Sequence, residues 1–214
     1  SLLPPFVLIS SVLGSILLGI ATPTEAAGVG ALGAILLAVS KTSLTRKNLT
    51  EAVETTTEIT AMVFMILLGS SIFSLVFRGF GGDDLITGIF TELPGGAFGA
   101  VLVVMIIIFL LGFILDFIQI TLVVVPIVGP ALLMLGVDPI WLGIMIAINL
   151  QTSFLTPPFG FALFYLRGVA PDSLATKDIY KGVIPFIVIQ LGVLIGLAIF
   201  PELVTALPQA VYGS

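Results

Sequence analysis

Apolar runs of transmembrane length recur along this chain, and Phe98–Leu115 and Val183–Phe200 are two of them. Only 9% of the 214 residues are charged, whereas a soluble domain carries about a quarter. Because so few charges cannot cover a surface that faces water, most of the outer surface must face lipid. We therefore expect an all-α membrane protein that crosses the bilayer several times.

The residue types that this chain lacks exclude several classes of function. It contains no histidine and no cysteine, which removes the usual zinc and haem ligands, thiol nucleophiles, disulfides and Ser–His hydrolases. Its seven Lys and Arg residues form no dense basic patch for nucleic acid. Gly81-Gly82-Asp83-Asp84 is similar to part of an intramembrane aspartyl protease motif, but those enzymes need two aspartates on separate spanning helices. We expect a protein that is not an enzyme and that uses no cofactor.

Two short helices, or one helix broken at depth, are expected at the start of the chain. A continuous helix from Phe6 to Val39 would be about 50 Å long, too long for one ~30 Å crossing. Thr22-Pro23-Thr24-Glu25 has the pattern of a capping box with proline at the first helical position, so a new helix is predicted to begin near Pro23. The chain opens Ser1-Leu2-Leu3-Pro4-Pro5 without Met, and we expect it to begin within a longer one.

The middle of the chain holds a long apolar stretch that no hydrophilic loop divides. A long helix is predicted at 49–77, and the amphipathic stretch Asp83–Leu93 after it is too short to span and should lie along the interface. Polar residues then interrupt Ala97–Val137 at 112–121. Two full spans, or a re-entrant hairpin with a polar tip at 112–121, both fit this stretch.

Prolines interrupt the next predicted helix, 139–167, which Asp138-Pro139 begins. Pro157 and Pro158 lack amide donors, so unpaired carbonyls are expected around 152–156. Polar side chains lie beside them: Asn149, Gln151, Thr152, Ser153 and Thr156. Neutral oxygens at depth suit a desolvated sodium ion, and interrupted helices form binding sites in transporters. The alternative is a kink whose backbone is satisfied by Ser and Thr hydroxyls.

Asp116 is the only acidic residue inside a long apolar run. An intramembrane carboxylate is a candidate functional group, because its charge is costly to place in lipid. Asp116 could ligate a cation, accept a proton or cap one arm of a hairpin. The sequence leaves these roles open.

The basic residues indicate the orientation of the chain. If the loop with Lys41, Arg46 and Lys47 is cytoplasmic, one crossing by 49–77 and one by 139–167 return Arg167, Lys177 and Lys181 to the same side. Six of the seven basic residues then lie inside, in agreement with the positive-inside rule. The basic loops lie on the same side of the membrane whether 97–137 forms a hairpin or two full spans.

Several linked motifs resemble those of one transporter family. Gly19-Ile20-Ala21-Thr22-Pro23-Thr24-Glu25-Ala26-Ala27 is similar to the signature of the large membrane (M) subunit of TRAP (tripartite ATP-independent periplasmic) transporters. Further motifs follow in the family's order: Pro126-Ile127-Val128-Gly129-Pro130, Gly136-Val137-Asp138-Pro139, Asn149-Leu150-Gln151 and Pro157-Pro158-Phe159-Gly160. The resemblance covers essentially the whole chain, corresponds to the C-terminal half of that subunit, and points to its mannitol/chloroaromatic-like branch.

The resemblance implies an elevator-type ion transporter fold of two inverted repeats, of which this chain would be the second. Residues 1–82 would be scaffold-type transmembrane helices and 83–96 an interfacial arm helix and linker. A transport-type region would follow at 97–203, with a tail at 204–214. Its parts would be a re-entrant hairpin at 97–137, a Pro-broken helix at 139–167 and a last transmembrane helix at 183–203.

The resemblance also implies a sodium site between the hairpin tip and the helix break. The matching positions are Gly112, Asp116, Thr121, Asn149, Thr152, Ser153 and Thr156. Substrate-facing positions would be Gln119, Gln151, Pro157 and Pro158, and Thr22, Pro23, Thr24 and Glu25 would form a structural motif. Sodium would be the only metal, with no transition metal.

The implied function is sodium-coupled uptake of a small organic acid across the bacterial inner membrane by a multi-pass protein. Its partners would be a periplasmic substrate-binding protein, the small membrane (Q) subunit, the N-terminal half of the large subunit and the lipid bilayer, with no nucleic acid. The alternative is a non-transporting membrane assembly module, or a half-subunit that needs a complementing chain.

Overall fold

The computed structural model describes residues 3–41, 44–157, 160–171 and 174–212, and every regular element within these ranges is a helix. The chain divides into two compact units, 1–62 and 63–214. The helices are α1 Leu3–Leu17, α2 Pro23–Ser40, α3 Arg46–Gly79, α4 Gly82–Glu92, α5 Gly96–Leu111, α6 Phe117–Met134, α7 Pro139–Leu155, α8 Phe161–Val169, α9 Thr176–Ile199 and α10 Glu202–Tyr212. The predicted all-α class is confirmed.

In the first unit, α1 and α2 are separate helices joined by a turn. Thr22 Oγ1 accepts from Glu25 N at 3.4 Å, and Glu25 Oε2 accepts from Thr22 N at 2.8 Å. These reciprocal bonds form a capping box, and Pro23 is the first helical residue. Of the two arrangements expected for Phe6–Val39, the structure therefore has two short helices.

Small residues bring α1 and α2 close together. An added Cβ at Gly30 would lie 3.2 Å from Val12 Cγ2, and one at Gly33 would overlap the side chain of Leu8. Packing of this kind is typical of helices in lipid, where small residues let the backbones approach.

A glycine turn joins α3, which runs through the boundary between the two units, to α4. Gly81 has φ +76°, which favours glycine, and Arg78 Nε lies 3.6 Å from Asp83 Oδ2 at this turn. α4 buries Phe90, packs against α5 and α6, and is bent by 115° from α5. A short amphipathic helix with this sharp bend is typical of a segment that lies along the interface.

α5 and α6 pack against each other and form a helical hairpin with its turn at 112–116. α7 packs against α5 on one side and α9 on the other. The largest fully buried apolar side chains of this unit are Val104, Ile108, Ile120 and Leu132. Because lipid tails are as apolar as these side chains, close packing rather than transfer from water holds the helices together.

Trp141 satisfies a carbonyl that a proline leaves without its helical donor. The ordinary i→i−4 donor to the Leu197 carbonyl would be residue 201, which is Pro201. The indole Nε1 of Trp141 instead donates to Leu197 O at 2.8 Å. This bond ties the start of α7 to the end of α9.

Replacing Trp141 with phenylalanine is expected to lower the stability of the protein by about 1–3 kcal/mol, because the Leu197 carbonyl loses its donor. Thermal unfolding in detergent micelles measures the effect. Tyr165→Phe, which removes the hydroxyl of an exposed ring on α8, is the matched control. Equal unfolding temperatures for Trp141→Phe and the parent would show that the indole bond contributes nothing.

Among the described residues, four helices are long and apolar enough to cross a membrane: α2, α3, α6 and α9. α1 and α7 are shorter apolar helices. α9 begins at Thr176, ahead of the predicted segment 183–203, because the polar residues before the apolar run are also helical. It ends at Ile199, two residues before Pro201. The segment 204–214, expected to be a tail, is helical as far as Tyr212.

Candidate functional site

The turn of the α5–α6 hairpin lies against the C-terminal part of α7. Gly112 is buried, and an added Cβ there would lie 2.8 Å from Ser153 Cβ and closer still to Ser153 Oγ. Asn149 Nδ2 also donates to Met105 O of α5 at 2.8 Å. The structure therefore brings three of the predicted site residues to one contact between the hairpin and α7.

The hydroxyls near the end of α7 donate to carbonyls of their own helix. The three bonds are each 2.8 Å long and run from Thr152 Oγ1 to Ile148 O, from Ser153 Oγ to Leu150 O and from Thr156 Oγ1 to Thr152 O. Thr152 and Ser153 are 0% exposed. Because each hydroxyl has used its hydrogen, its lone pairs remain available to a cation.

The predicted helix 139–167 is broken where its prolines lie, since α7 ends at Leu155 and α8 begins at Phe161. Pro157 cannot donate to the Ser153 carbonyl, which accepts from Thr156 N at 3.1 Å instead. The expectation of unpaired carbonyls is therefore wrong at Thr152 and Ser153. Thr156 donates its hydroxyl hydrogen to the Thr152 carbonyl and its backbone amide hydrogen to the Ser153 carbonyl.

Asp116 caps the first turn of α6. Its Oδ1 accepts from Phe117 N at 2.7 Å, and Gln119 Oε1 accepts from Asp116 N at 3.4 Å. The two side chains form a capping box. Of the three roles considered for Asp116, the structure shows the cap. The roles of Asp116 towards a cation and of Gln119 towards a substrate stay predictions.

Thr121 and Gln151 line one open cavity of about 480 Å³ between α6 and α7. Its other walls are apolar and include Phe117 and Phe154, whose rings meet edge to face with centroids 5.9 Å apart. A mainly apolar cavity with a few polar groups is typical of sites for small molecules. Pro157 is half-buried after the end of α7, and Pro158 lies outside the described residues.

Sequence reasoning missed Ser70, which is buried on α3. Its hydroxyl donates to the carbonyl of Leu122, inside the π-helical turn Ile120–Val124 of α6. The signal for this contact is Pro126, which removes the i→i−4 donor to that carbonyl. Single-turn π-helices are frequent at functional sites.

Sequence reasoning also missed Gln190 on α9. Its Oε1 is buried and has no hydrogen-bond partner in the described part of the chain. The available signal is a single amide side chain inside the apolar run Val183–Phe200.

Comparison with known proteins finds one family that matches most of the chain. The family model described as "Tripartite ATP-independent periplasmic transporter, DctM component" matches residues 1–203. The chain is 30% identical over 214 residues to the sialic acid TRAP transporter large permease protein SiaM of Vibrio cholerae, covering all of this chain and 49% of that protein. It is 30% identical over 193 residues to the ectoine/5-hydroxyectoine permease protein UehC of Ruegeria pomeroyi, covering 90% of this chain and 45% of UehC.

A third relative is the C4-dicarboxylate TRAP transporter large permease protein DctM of Vibrio cholerae, 29% identical over 228 residues, with 96% of this chain and 50% of that protein covered. The chain thus spans about half the length of the curated relatives that it matches.

Proposed function

The chain belongs to the DctM component family of tripartite ATP-independent periplasmic transporters, and from this membership we propose that it takes part in sodium-coupled uptake of a small organic acid. It is a multi-pass protein of the bacterial inner membrane. The structural observation that carries the proposed sodium site is the contact of Gly112 with Ser153, which joins the hairpin turn to the end of α7. In this proposal the chain is the C-terminal half of the large subunit.

The hydroxyl oxygens at this contact and around it near the end of α7 suit sodium. The hydroxyls of Thr152, Ser153 and Thr156 are neutral, and each keeps lone pairs after donating to its own helix. Asp116 adds one negative charge at the hairpin turn. Among the residues that the structure describes, no three His, Cys, Asp or Glu side chains come together in a group that could hold a metal ion. Sodium would bind between the hairpin and α7, and its binding would stabilise their contact.

The substrate is a small organic acid in this proposal. Relatives are named for sialic acid, ectoine and C4-dicarboxylates, which are small polar molecules that carry carboxylates. The cavity with Thr121 and Gln151 would form one wall of the substrate site. The opposite wall would come from the N-terminal half of the subunit, as in transporters whose sites lie between two repeats.

Sodium coupling requires that the moving part bind sodium and substrate with different affinities in its two positions. The hairpin, α7, α8 and α9 would be this moving part, and the motion would be of the elevator type. A periplasmic substrate-binding protein would deliver the substrate, and the small membrane (Q) subunit would complete the complex.

The proposal is tested with the complete transporter that contains this chain, reconstituted in proteoliposomes with its binding protein. Radiolabelled sialic acid, ectoine and succinate are the probes. An inward sodium gradient is expected to drive accumulation of one of them, and an equal potassium gradient is expected to give background uptake. Equal accumulation in sodium and potassium would contradict the coupling.

A non-transporting membrane assembly module, or a half-subunit that needs a complementing chain, is the second candidate. Co-purification separates the two candidates. A complementing half that co-purifies and restores uptake supports transport, whereas stable association with a membrane partner without uptake of any probe supports the module.

A further inference from the structure

The side-chain oxygen of Gln190 is buried in the second unit without a donor. Among the described residues, Gln190 Oε1 is the one buried side-chain nitrogen or oxygen atom that has no hydrogen-bond partner. An acceptor left unpaired inside a membrane protein is costly, because no water or neighbouring amide compensates it. Such an atom needs an explanation in terms of a donor or a cation that reaches it.

Gln190 lies on the face of α9 that packs against α7 and α8. Residues of that face recur at helical spacing: Ile179, Val183, Ile187, Leu194 and Leu197. Gln190 lies three residues after Ile187 and four before Leu194, so it continues the same stripe. It is the polar member of an otherwise apolar set.

The level of Gln190 along α7 follows from the antiparallel register of α7 and α9. Trp141 pairs with Leu197 through the indole bond, and Met145 and Leu194 line the same small cavity. At the other end, Leu155 packs against the cluster that contains Val183. Interpolation between these pairs places Gln190 beside Ile148, one turn before Thr152.

Thr152 connects this position with the candidate site. It follows Trp141, Met145 and Ile148 at helical spacing, so it lies on the face of α7 that packs against α9. Its side chain is fully buried, and its hydroxyl hydrogen is directed to Ile148 O. Thr152 therefore presents lone pairs, not a hydrogen, to its surroundings, and the next residue, Ser153, faces Gly112.

We propose that Gln190, one turn from Thr152 along α7, contributes its side-chain oxygen together with Thr152 to the cation site at the end of α7. Two neutral acceptors brought together without a hydrogen between them would repel, and a sodium ion bound by both oxygens would remove the repulsion. This inference rests on the proposed sodium coupling. It adds α9 to the hairpin and α7 as a third element of the site, which would make sodium binding depend on how α9 packs.

The test measures the sodium concentration that gives half-maximal uptake by the complete transporter in proteoliposomes. Gln190→Leu removes the oxygen and keeps the volume, and we expect the half-maximal sodium concentration to rise about tenfold. Gln190→Glu keeps an oxygen at the same place and is expected to stay within about twofold of the parent or below it. Ile187→Leu, one turn away on the same face, is the control for packing and is expected to match the parent.

The outcomes separate this inference from the proposed function. Uptake by the parent that does not depend on sodium contradicts the proposed function. If uptake by the parent depends on sodium and Gln190→Leu has the same half-maximal sodium concentration as the parent, only the role of Gln190 is overturned. If Gln190→Leu does not assemble, Gln190→Asn, whose side-chain oxygen is one methylene shorter, takes its place. We expect Gln190→Asn to raise the half-maximal sodium concentration, and an unchanged concentration also overturns the role of Gln190.

Discussion

Replacing Gly112 with alanine is expected to reduce uptake by the complete transporter by about tenfold or more, and adding Ser153→Gly in the same chain is expected to restore much of it. The reason is steric. The new Cβ would lie 2.8 Å from Ser153 Cβ and closer still to Ser153 Oγ, so the hairpin turn could not lie against α7. Ser153→Gly removes both atoms and reopens the space.

The backbone at Gly112 does not explain this effect, because its φ of −64° and ψ of −9° are open to alanine. Initial uptake rates at saturating sodium measure the result. Gly143→Ala on α7 is the control, since an added Cβ there meets no atom within 4 Å. If Gly112→Ala transports as well as the parent, or if it lowers the rate as much in the Ser153→Gly background as in the parent, the hairpin turn does not need this contact.

Ser153→Ala and Thr156→Ala are each expected to raise the sodium concentration needed for half-maximal uptake by about tenfold, with unchanged expression. Each substitution removes one hydroxyl oxygen from the end of α7. A structural role alone predicts another result, because hydroxyls that only satisfy the broken helix affect stability without changing sodium activation.

Ser71→Ala is the matched control for these two variants. Ser71 Oγ donates to Leu67 O at 2.8 Å, the same kind of bond to its own helix, but on an exposed face of α3. It is expected to leave sodium activation unchanged. Unchanged activation in both Ser153→Ala and Thr156→Ala would remove the end of α7 from the ion site.

Local patterns allowed several elements to be predicted from the sequence. The capping box at Thr22 and Glu25 starts α2, and the start of α7 follows from Asp138, whose Oδ1 accepts from Trp141 N at 2.8 Å. The prolines end α7 as expected. These features depend on residues within one helical turn of each other, where propensity and capping decide the structure.

Contacts between distant segments could not be predicted in this way. Trp141 bonds to Leu197 and Ser70 to Leu122, and in both pairs a proline removes the helical donor of the carbonyl. The sequence shows which carbonyl lacks a donor, but only the packing of the helices shows which side chain supplies one. The same holds for Gln190, whose position beside Ile148, one turn from Thr152, follows from the antiparallel register of α7 and α9.

The sequence alone also leaves open the roles of the polar side chains at the hairpin turn. For Asp116 the sequence leaves a cation ligand, a proton acceptor and a helix cap open, and for Gln119 the resemblance implies a substrate-facing position; the structure shows the two side chains in a capping box. An Asp followed by Gln three residues later has the capping-box spacing, so this local role was readable from the sequence. A cap and a ligand need the same side-chain oxygens, and the spacing alone does not separate the two roles.

The most direct test of whether sodium binds at the hairpin and α7 is thermal unfolding of the purified complete transporter in detergent. The unfolding temperature is measured in sodium and in potassium at equal ionic strength. A ligand that binds the folded state stabilises it in proportion to the logarithm of its concentration over Kd. We expect sodium to raise the unfolding temperature of the parent and of Ser71→Ala, and to raise that of Ser153→Ala much less. An equal sodium shift in Ser153→Ala and the parent, or no shift in the parent, would contradict the account.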